Sequence, residues 1–556
     1  MISTHFEAMV TSLLPAEEFV LFRRSDLPRL PAHTVDLFLS RAEKALRAEL
    51  RTPSLADWIA SPSGYDALRG ENRRSLAALC LGEAVHQRGR YLPQAAQLVF
   101  AILSEPDWNA AGRRHAPARL LSMPDSFAAQ TAELLAWAAV LLEQPLEEYA
   151  IGLREGVYQA CEERFLRFLD DPACCETVLR RTDAPDFARA ATAACLIVPQ
   201  NESLRWLRLK NALRIADRCA SGGWALSAFQ REGLVGWTKS SCAIADAALL
   251  ADLACAGQSG LRADEALLAQ MRLPVHLHID GEYFADEKSR MQPALFGEDL
   301  YRIGATFDDD AMCSLGAMLD RLARQSETPR PDRPEENITA RLLSALWRSS
   351  LEKDGGSMPP EPVSCLQGQC YYAARPHSGR GFYVGLHAGA LVLFLDGQPV
   401  LITAPGAAER RSLPEPDGRA QARFSCRDVS VRIEGFPTIT MDIAPSFPLD
   451  ASISSWQRTV MLTNQDQTVR LLDAFDYAGV RRPSRLRFVS PSQPVPAVGA
   501  PRARIGGAYV EWDGPTHAAV EQLNTAEGEA PLWALVLSRP EAAAGGCWTC
   551  TFTRAD

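Results

Sequence analysis

The spacing of apolar residues changes once along this 556-residue chain, near Leu351, and the change restricts the fold more than any other feature of the sequence. On its N-terminal side, apolar residues recur every three or four positions, which is typical of helices with one buried stripe. On its C-terminal side, short segments rich in β-branched residues alternate with turn residues, which is typical of antiparallel strands. The segment 352–364, EKDGGSMPPEPVS, has the glycine, proline and charge content of a linker. The sequence therefore predicts a helical domain over residues 1–355 and an antiparallel β-sandwich over residues 356–556.

Composition limits the classes of function that the chain can have. Apolar residues make up 47% of it, which is enough for two or more domains with buried cores. The net charge of −10 argues against nucleic acid as a partner, because phosphates require a basic surface. No segment approaches the roughly 20 apolar residues of a membrane span, and residues 1–22 lack the basic start of a secretory signal. We therefore expect a cytoplasmic protein with no membrane partner, and the sequence leaves a homo-oligomer open.

The 14 cysteines fit a reducing compartment, because most lie on apolar helical faces, where a buried free thiol is the expected state. Cys547 and Cys550 have the spacing of zinc ligands, but residues three apart on a strand point to opposite faces. Cys365 and Cys370 would be needed to complete a four-cysteine site. We expect packing as the role of these thiols, with no metal and no cofactor.

Five segments, in order along the chain, carry a recognisable set of motifs. The most informative is residues 381–402, GFYVGLHAGALVLFLDGQPVLI, with a glycine, an apolar run, Asp-Gly and Pro-Val-Leu-Ile. The other four are 71–108, with its Arg-Arg pair and Glu-x-x-Trp end, 126–142, 231–253 and 283–304. Together they resemble the heparinase II/III-type polysaccharide lyases, and 381–402 matches the second half of a catalytic strand in that family. The resemblance spans most of the chain and implies an incomplete α/α toroid followed by an antiparallel β-sandwich.

The resemblance also implies a reaction, the β-elimination that cleaves uronate-containing oligosaccharides. This reaction needs a base, an acid for the leaving oxygen, and groups that neutralise the uronate carboxylate. Several family residues are replaced here. The family's histidines fall on Tyr383, Gly385 and Glu434, its aspartate on Thr403, its tyrosine on Gly236, and the amides of an asparagine-rich segment on Asp183 and Asp186. Members with a structural metal use histidine and aspartate ligands that Gly385, Thr403 and Glu434 cannot reproduce.

Candidate site residues can still be named. An altered catalytic set would be drawn from Tyr283, Tyr383, His377 and His387, because phenols and imidazoles can act as acids or bases. The candidates for substrate binding, through aromatic stacking or charge, are Trp108, Arg231, Trp237, Asp286 and Arg290, with Arg375 and Arg380 as further arginines for a uronate. The alternatives are an Asp286–Arg290 pair that braces its loop, and arginines that are solvated or structural.

Two functions follow from these observations. The first is a lyase, or an enzyme descended from one, that degrades uronate-containing oligosaccharides with the altered catalytic set. The second is a non-catalytic relative that binds an acidic or neutral saccharide, or another protein, through the old cleft. The joint loss of several catalytic groups predicts that heparinase-type activity is weak or absent.

Overall fold

The computed structural model divides the chain into two compact units, Met1–Met271 with Leu295–Ser357 and Arg272–Ala294 with Met358–Asp556. The structure describes residues 12–14, 24–111, 123–281, 283–284, 297–325, 337–354, 363–366, 371–375, 380–403, 411–422, 425–432, 435–463, 467–524, 531–539 and 541–555. The first unit is helical and the second contains the large sheets, as the change in apolar spacing predicts. The described residues 272–281 and 283–284 belong to the second unit.

Helices form the described part of the first unit. They are α1 (Ala32–Arg47), α2 (Leu55–Ala60), α3 (Pro62–His86), α4 (Leu92–Leu103), α5 (Ser126–Tyr149), α6 (Leu153–Arg164), α7 (Cys174–Val178), α8 (Ala184–Ile197), α9 (Glu202–Ser221), α10 (Trp224–Ala254), α11 (Glu265–Met271), then, after α12 (Leu273–Leu277) of the second unit, α13 (Gly297–Thr306), α14 (Asp310–Gln325) and α15 (Ile338–Lys353). None of the helices in the described ranges combines the length and apolar character needed to cross a membrane.

Helix α8 forms the centre of the helical unit. It packs against α5, α9 and α10, and its residues from Ala184 to Leu196 are buried. Six of these 13 residues are alanine, whose small side chain lets neighbouring helices approach closely. Side-chain caps define where the neighbouring helices begin: Asp125 accepts a hydrogen bond from the backbone of Ala128 at the start of α5, and Asn337 accepts one from Ala340 in α15.

Antiparallel strands form most of the second unit. They are β1 (His278–Asp280), β2 (Tyr283–Phe284), β3 (Val363–Leu366), β4 (Tyr371–Ala374), β5 (Phe382–His387), β6 (Ala390–Leu395), β7 (Gln398–Leu401), β8 (Pro414–Pro416), β9 (Arg427–Arg432), β10 (Thr438–Asp442), β11 (Ser455–Thr463), β12 (Thr468–Asp476), β13 (Ser484–Ser490), β14 (Val495–Pro496), β15 (Arg502–Ile505), β16 (Ala508–Trp512), β17 (His517–Leu523), β18 (Leu532–Ser538) and β19 (Gly545–Arg554). The three larger sheets have the orders β14-β15-β16-β19-β12-β11-β10-β9, β17-β18-β13-β8 and β3-β4-β5-β6-β7.

The three sheets share one apolar core. Leu393 from β6, Leu471 from β12 and Leu486 from β13, one strand of each sheet, belong to the same buried cluster. Strands β11 and β12 alternate buried and more exposed residues, as expected when one face of a strand covers the core. Strands β5 and β6 are instead buried on both faces up to His387, which is half-buried. This explains why 382–395 reads as a continuous apolar run rather than as an alternation.

The β5–β6 hairpin depends on Gly389. The turn residues Ala388 and Gly389 have φ values of 46° and 89°, the left-handed pair that suits a two-residue hairpin turn. A Cβ atom at position 389 would lie 2.6 Å from Cγ2 of Ile443, so the turn has no room for a side chain. The substitution Gly389→Ala should therefore lower the free energy of unfolding by about 1–3 kcal/mol, measured by urea unfolding.

Gly418 provides the matched control for that substitution. Its φ is also positive, at 68°, but a Cβ atom there meets nothing within 4 Å. Gly418→Ala should therefore show the backbone strain without the steric clash and cost less than Gly389→Ala. Equal losses for the two variants would contradict the role assigned to the contact with Ile443.

Candidate functional site

A pair of tyrosines joins the strand that carries the strongest sequence motif to its neighbouring strand. Tyr383 lies in β5 and Tyr371 in β4, and their hydroxyl groups form a hydrogen bond. Gly385 of β5 lies opposite Ala373 of β4 in the strand register. A Cβ atom at position 385 would lie 3.4 Å from the hydroxyl oxygen of Tyr383 and 3.5 Å from that of Tyr371. The missing side chain at 385 therefore leaves the space in which the two phenols meet.

Arg375 contacts both Tyr383 and the backbone of α12 and β1, the first elements of the second unit. Its guanidinium lies 5.6 Å from the ring centroid of Tyr383. The same group donates to the backbone carbonyls of Val275, His276 and His278, at 3.2, 2.6 and 2.8 Å respectively. The side chain is buried, so its role in the structure is to join α12 and β1 to the five-stranded sheet.

Burial controls the protonation of both phenols. It raises the pKa of Tyr383, against a smaller opposite effect of the Arg375 charge and of the hydrogen bond from Tyr371. The pKa of Tyr371 is raised more than that of Tyr383, because burial and the interaction with Tyr383 act in the same direction. A phenol normally has a pKa of about 10, so both hydroxyls are neutral near pH 7. The pair can donate and accept hydrogen bonds, but it cannot supply a tyrosinate base at that pH.

His387 lies beside this pair, at the end of β5. It is directly opposite Tyr371 in the strand register, and the two ring centroids are 6.3 Å apart in an edge-to-face arrangement. The imidazole is half-buried, whereas both phenols are buried. Of the predicted catalytic side chains that the structure describes, Tyr383 and His387 thus belong to one cluster, which we call the Tyr-His cluster: Tyr371, Arg375, Tyr383 and His387.

Several predicted site residues lie outside the described part of the chain. His377, Asp286 and Arg290 are among them, as is the side chain of Tyr283, whose backbone forms β2. The predicted roles of these four residues stay predictions. Tyr371 was not predicted, although its position in a Tyr-Tyr pair shortly before the motif strand was a usable signal.

The two tryptophans predicted to bind sugar lie in the core of the helical unit. Trp108 is 1% exposed, its indole N–H donates to the carbonyl of Ile102 at 3.1 Å, and Arg164 covers its ring at 5.1 Å. Trp237 is fully buried and donates to the carbonyl of Gln270 at 3.0 Å. Neither ring has the open face that stacking on a pyranose requires, and packing accounts for both positions.

Helix α10 carries two further predicted positions. Arg231 is exposed on its surface. Gly236, where the resemblance places a catalytic tyrosine, lies three residues after a break in the helix at Gly233, whose φ is 68°. The break brings the carbonyl oxygen of Ala228 to 2.7 Å from the place of a Cβ atom at 236. No side chain larger than hydrogen fits at this position without a change in the backbone.

The acidic residues that stand in place of family amides are both paired with arginine. Arg181 donates to the two carboxylate oxygens of Asp183 at 2.9 and 2.6 Å, and Arg189 lies 3.4 Å from Asp186. Burial raises the pKa of Asp183, but the hydrogen bonds and charge of Arg181 outweigh it and hold the pKa below the usual value. Asp183 therefore keeps its negative charge near pH 7, with that charge offset by its neighbour.

The helical unit also contains a group of charged side chains that sequence patterns did not indicate. This buried ionic cluster comprises Glu133, Asp186, Arg189, Asp246, Asp299 and Arg302. Arg302 lies 3.0 Å from Asp246 and 3.2 Å from Asp299, and Arg189 lies 3.6 Å from Glu133. Four acids thus surround two arginines, and burial raises the pKa of Glu133 and of Asp246. These residues lie on helices far apart in sequence, so only the fold brings them together.

The described residues include no group of three histidine, cysteine or acidic side chains placed to hold a metal. Cys550 is buried and Cys547 half-buried on β19, whose residues alternate between the faces, so the two thiols point to opposite sides. Thr403 is buried. Cys370 and Glu434 lie outside the described residues.

Comparison with solved structures places this fold among the polysaccharide lyases. A heparinase III with methylated lysines matches 98% of the chain and 86% of its own length, with a TM-score of 0.59 and 9% identity. A mutant heparan sulfate lyase from Pedobacter heparinus matches 94% of the chain and 83% of its own length (TM-score 0.56, 12% identity). A mutant chondroitin AC lyase from Streptomyces coelicolor matches 100% and 83% (TM-score 0.55, 14% identity).

No protein-family model matches the sequence, and no curated protein matches it significantly. The likeness to the three lyases is therefore one of structure, at identities too low to carry residue roles. It confirms the fold that the five motifs predicted. The chain has the heparinase-like polysaccharide-lyase fold, an α/α toroid of helices followed by an antiparallel β-sandwich.

Proposed function

We propose that this protein is a saccharide-binding relative of the polysaccharide lyases, which recognises uronate-containing oligosaccharides and has little or no β-elimination activity. The heparinase-like fold supports the carbohydrate class of ligand. The observation that carries the loss of activity is the Tyr-His cluster, in which the phenols of Tyr383 on the motif strand and Tyr371 on the neighbouring strand are buried and neutral.

The chemistry of elimination explains why this observation matters. The proton next to a uronate carboxylate is weakly acidic, so its removal requires a base of suitable pKa close to the sugar. Tyr383 is 2% exposed and has a raised pKa, so it lacks both the access and the ionisation that a base needs. Loss of one acid, base or charge-stabilising group costs on the order of a hundredfold or more in rate.

Exposed arginines support binding of an acidic sugar. Arg231 on α10 and Arg380 just before β5 are both exposed, whereas Arg375 is buried. A guanidinium can bind a carboxylate through two parallel hydrogen bonds, which makes arginine the usual residue for this anion. The chain's net charge of −10 does not prevent this, because the local field near an arginine can differ in sign from the whole protein.

An active enzyme with a rebuilt site is the second candidate, and His387 favours it. Its imidazole is half-buried, lies at the end of the motif strand and packs against the neutral phenol of Tyr371. An imidazole has two ring nitrogens and can accept or donate a proton, which is why histidine is a common acid or base in catalysis. In this alternative His387 would be the base or acid, and the phenols would position it.

Oligosaccharides of heparan, chondroitin, hyaluronan and alginate will distinguish these two functions. We expect calorimetry to detect binding of at least one of them, and ultraviolet absorbance of the unsaturated uronate product to stay at the level of a blank. Binding should weaken in Arg231→Ala or Arg380→Ala. Absence of binding to every acidic oligosaccharide would overturn the proposal.

Turnover of any substrate would instead support the second candidate. In that case His387→Ala should abolish the rise in absorbance, with His517→Ala as the matched control, because His517 is exposed on β17. Turnover that survives His387→Ala would exclude a site built on the Tyr-His cluster.

A further inference from the structure

Two adjacent cysteines begin helix α7. The sulfur atoms of Cys174 and Cys175 are 3.9 Å apart, and both side chains are 2% exposed. The turn before them, residues 171–173, is exposed, so the buried thiols directly follow a surface segment of the chain. This pair lies in the helical unit and takes no part in the function proposed above. A proposal about the pair can therefore be tested independently of that function.

The surroundings of the two thiols are unequal. The Cys175 thiol contacts the carbonyl oxygen of Asn211 on α9 at 3.5 Å. The side chain of Asn211 donates in turn to the carbonyl of Leu169 at 2.8 Å. The guanidinium of Arg214, one turn further along α9, interacts with Cys175. Polar contacts thus hold Cys175 against α9. Within the described part of the chain, Cys174 does not make these contacts.

Because of this difference, the pKa values of the two thiols shift in opposite directions. The hydrogen bond from Cys174 lowers the pKa of Cys175, and the charge of Arg214 lowers it further against the effect of burial. The same hydrogen bond, together with burial, raises the pKa of Cys174. Burial raises the pKa of the comparable helical thiols Cys161 and Cys195 to about 12. A thiolate is the reactive form of cysteine, and its oxidation is faster where the thiolate is favoured.

We propose that Cys174 and Cys175 form a peroxide-responsive dithiol, in which Cys175 is the nucleophile and Cys174 the resolving thiol. The Cys175 thiolate attacks one oxygen of hydrogen peroxide, the O–O bond breaks, and Cys175 sulfenic acid forms with release of hydroxide. The Cys174 sulfur then displaces the sulfenic oxygen, which takes up a proton and leaves as water. In total two thiols are oxidised to one disulfide and one peroxide is reduced to two waters.

Disulfide formation should alter the helical unit locally. The two sulfur atoms must approach from 3.9 Å to the roughly 2.05 Å of a bond, which requires the first turn of α7 to change shape. Cys175 would lose its contact with Asn211 in the process. We therefore expect the oxidised protein to melt at a lower temperature than the reduced protein, and dithiothreitol to restore the original value.

Tryptic digestion gives a direct test, because the peptide 168–180, FLDDPACCETVLR, contains these two cysteines and no other. The folded protein is treated with hydrogen peroxide, denatured with N-ethylmaleimide present, digested and analysed by mass spectrometry. We expect this peptide to lose two hydrogens and to carry no maleimide, while Cys161 and Cys195 are fully labelled. Labelling of both Cys174 and Cys175 after peroxide, or a disulfide to any other cysteine, would overturn the proposal.

Single variants test the assignment of roles and do not require the disulfide to form. In Cys174→Ser the sulfenic acid at Cys175 has no resolving thiol, so dimedone should trap it. In Cys175→Ser dimedone should not label Cys174. Equal labelling in the two variants would contradict the roles assigned to the two thiols, and circular dichroism of each variant shows whether the helical unit is intact.

Discussion

Replacement of Arg458 by alanine should cost about 3–5 kcal/mol of stability, because it leaves Asp473 charged and buried without its partner. Both side chains are 0% exposed, and they form two hydrogen bonds of 2.8 and 2.7 Å. Arg458 also donates to the carbonyls of Gly389 and Ser412, at 2.5 and 3.1 Å. It therefore joins β11 to the turn of the β5–β6 hairpin that carries His387. Urea unfolding followed by tryptophan fluorescence will measure the loss.

Two variants make this prediction specific. Arg470→Ala removes an exposed arginine from the adjacent strand β12 and should change stability by less than about 0.5 kcal/mol. The double variant Arg458→Met with Asp473→Leu removes both charges and should recover much of the loss. A double variant as unstable as Arg458→Ala would show that the hydrogen bonds to Gly389 and Ser412, rather than the unpaired carboxylate, dominate the effect.

Arg302→Met should destabilise the helical unit by a similar amount, about 3–5 kcal/mol, since it leaves one arginine among the four acids of the buried ionic cluster. The side chain is 2% exposed and also donates to the carbonyl of Ala340 at 3.1 Å. Urea unfolding monitored by helical circular dichroism will measure the change. Arg324→Met is the control, because Arg324 is 45% exposed and pairs with Asp320 at the helix surface, an interaction worth about 0.5 kcal/mol or less.

The loss in Arg302→Met should grow as the pH rises. Burial already raises the folded-state pKa of Asp246 against the opposing charge of Arg302, so removal of that charge raises the pKa further. A group whose pKa is higher in the folded state stabilises the fold fully below its unfolded pKa, about 3.9 for aspartate, and loses that contribution as the pH rises through the folded value. The destabilisation should therefore be larger at about pH 8 than at about pH 5. A deficit that shrinks with pH would contradict the position of Asp246 beside Arg302.

The division into helices and antiparallel strands could be predicted from sequence because it depends on local periodicity. Strands β11 and β12 alternate, and α14 presents one apolar stripe, so each pattern records which face is buried. The limits of the two units depend on more than local periodicity, since α12 is a short helix whose packing partner is strand β3, far along the chain. Local spacing contains no information about such a partner.

The candidate site could be predicted only in part. The motif strand led directly to Tyr383 and His387, which do lie in one cluster. Exposure could not be predicted: Trp108 and Trp237 suit sugar stacking by residue type, yet both indoles are buried and bonded to backbone carbonyls. The buried ionic cluster was missed because an isolated acid or arginine on a helix normally indicates a solvated face, and only tertiary contacts show otherwise.

The break in α10 at Gly233 limits what protein design could place on this helix. Because the Ala228 carbonyl occupies the space beside Gly236, a tyrosine introduced there would clash with the backbone. The helix would first have to straighten before position 236 could hold a side chain. A designer who wants a functional group at this position would therefore need to rebuild the backbone of residues 228–236 before choosing the side chain.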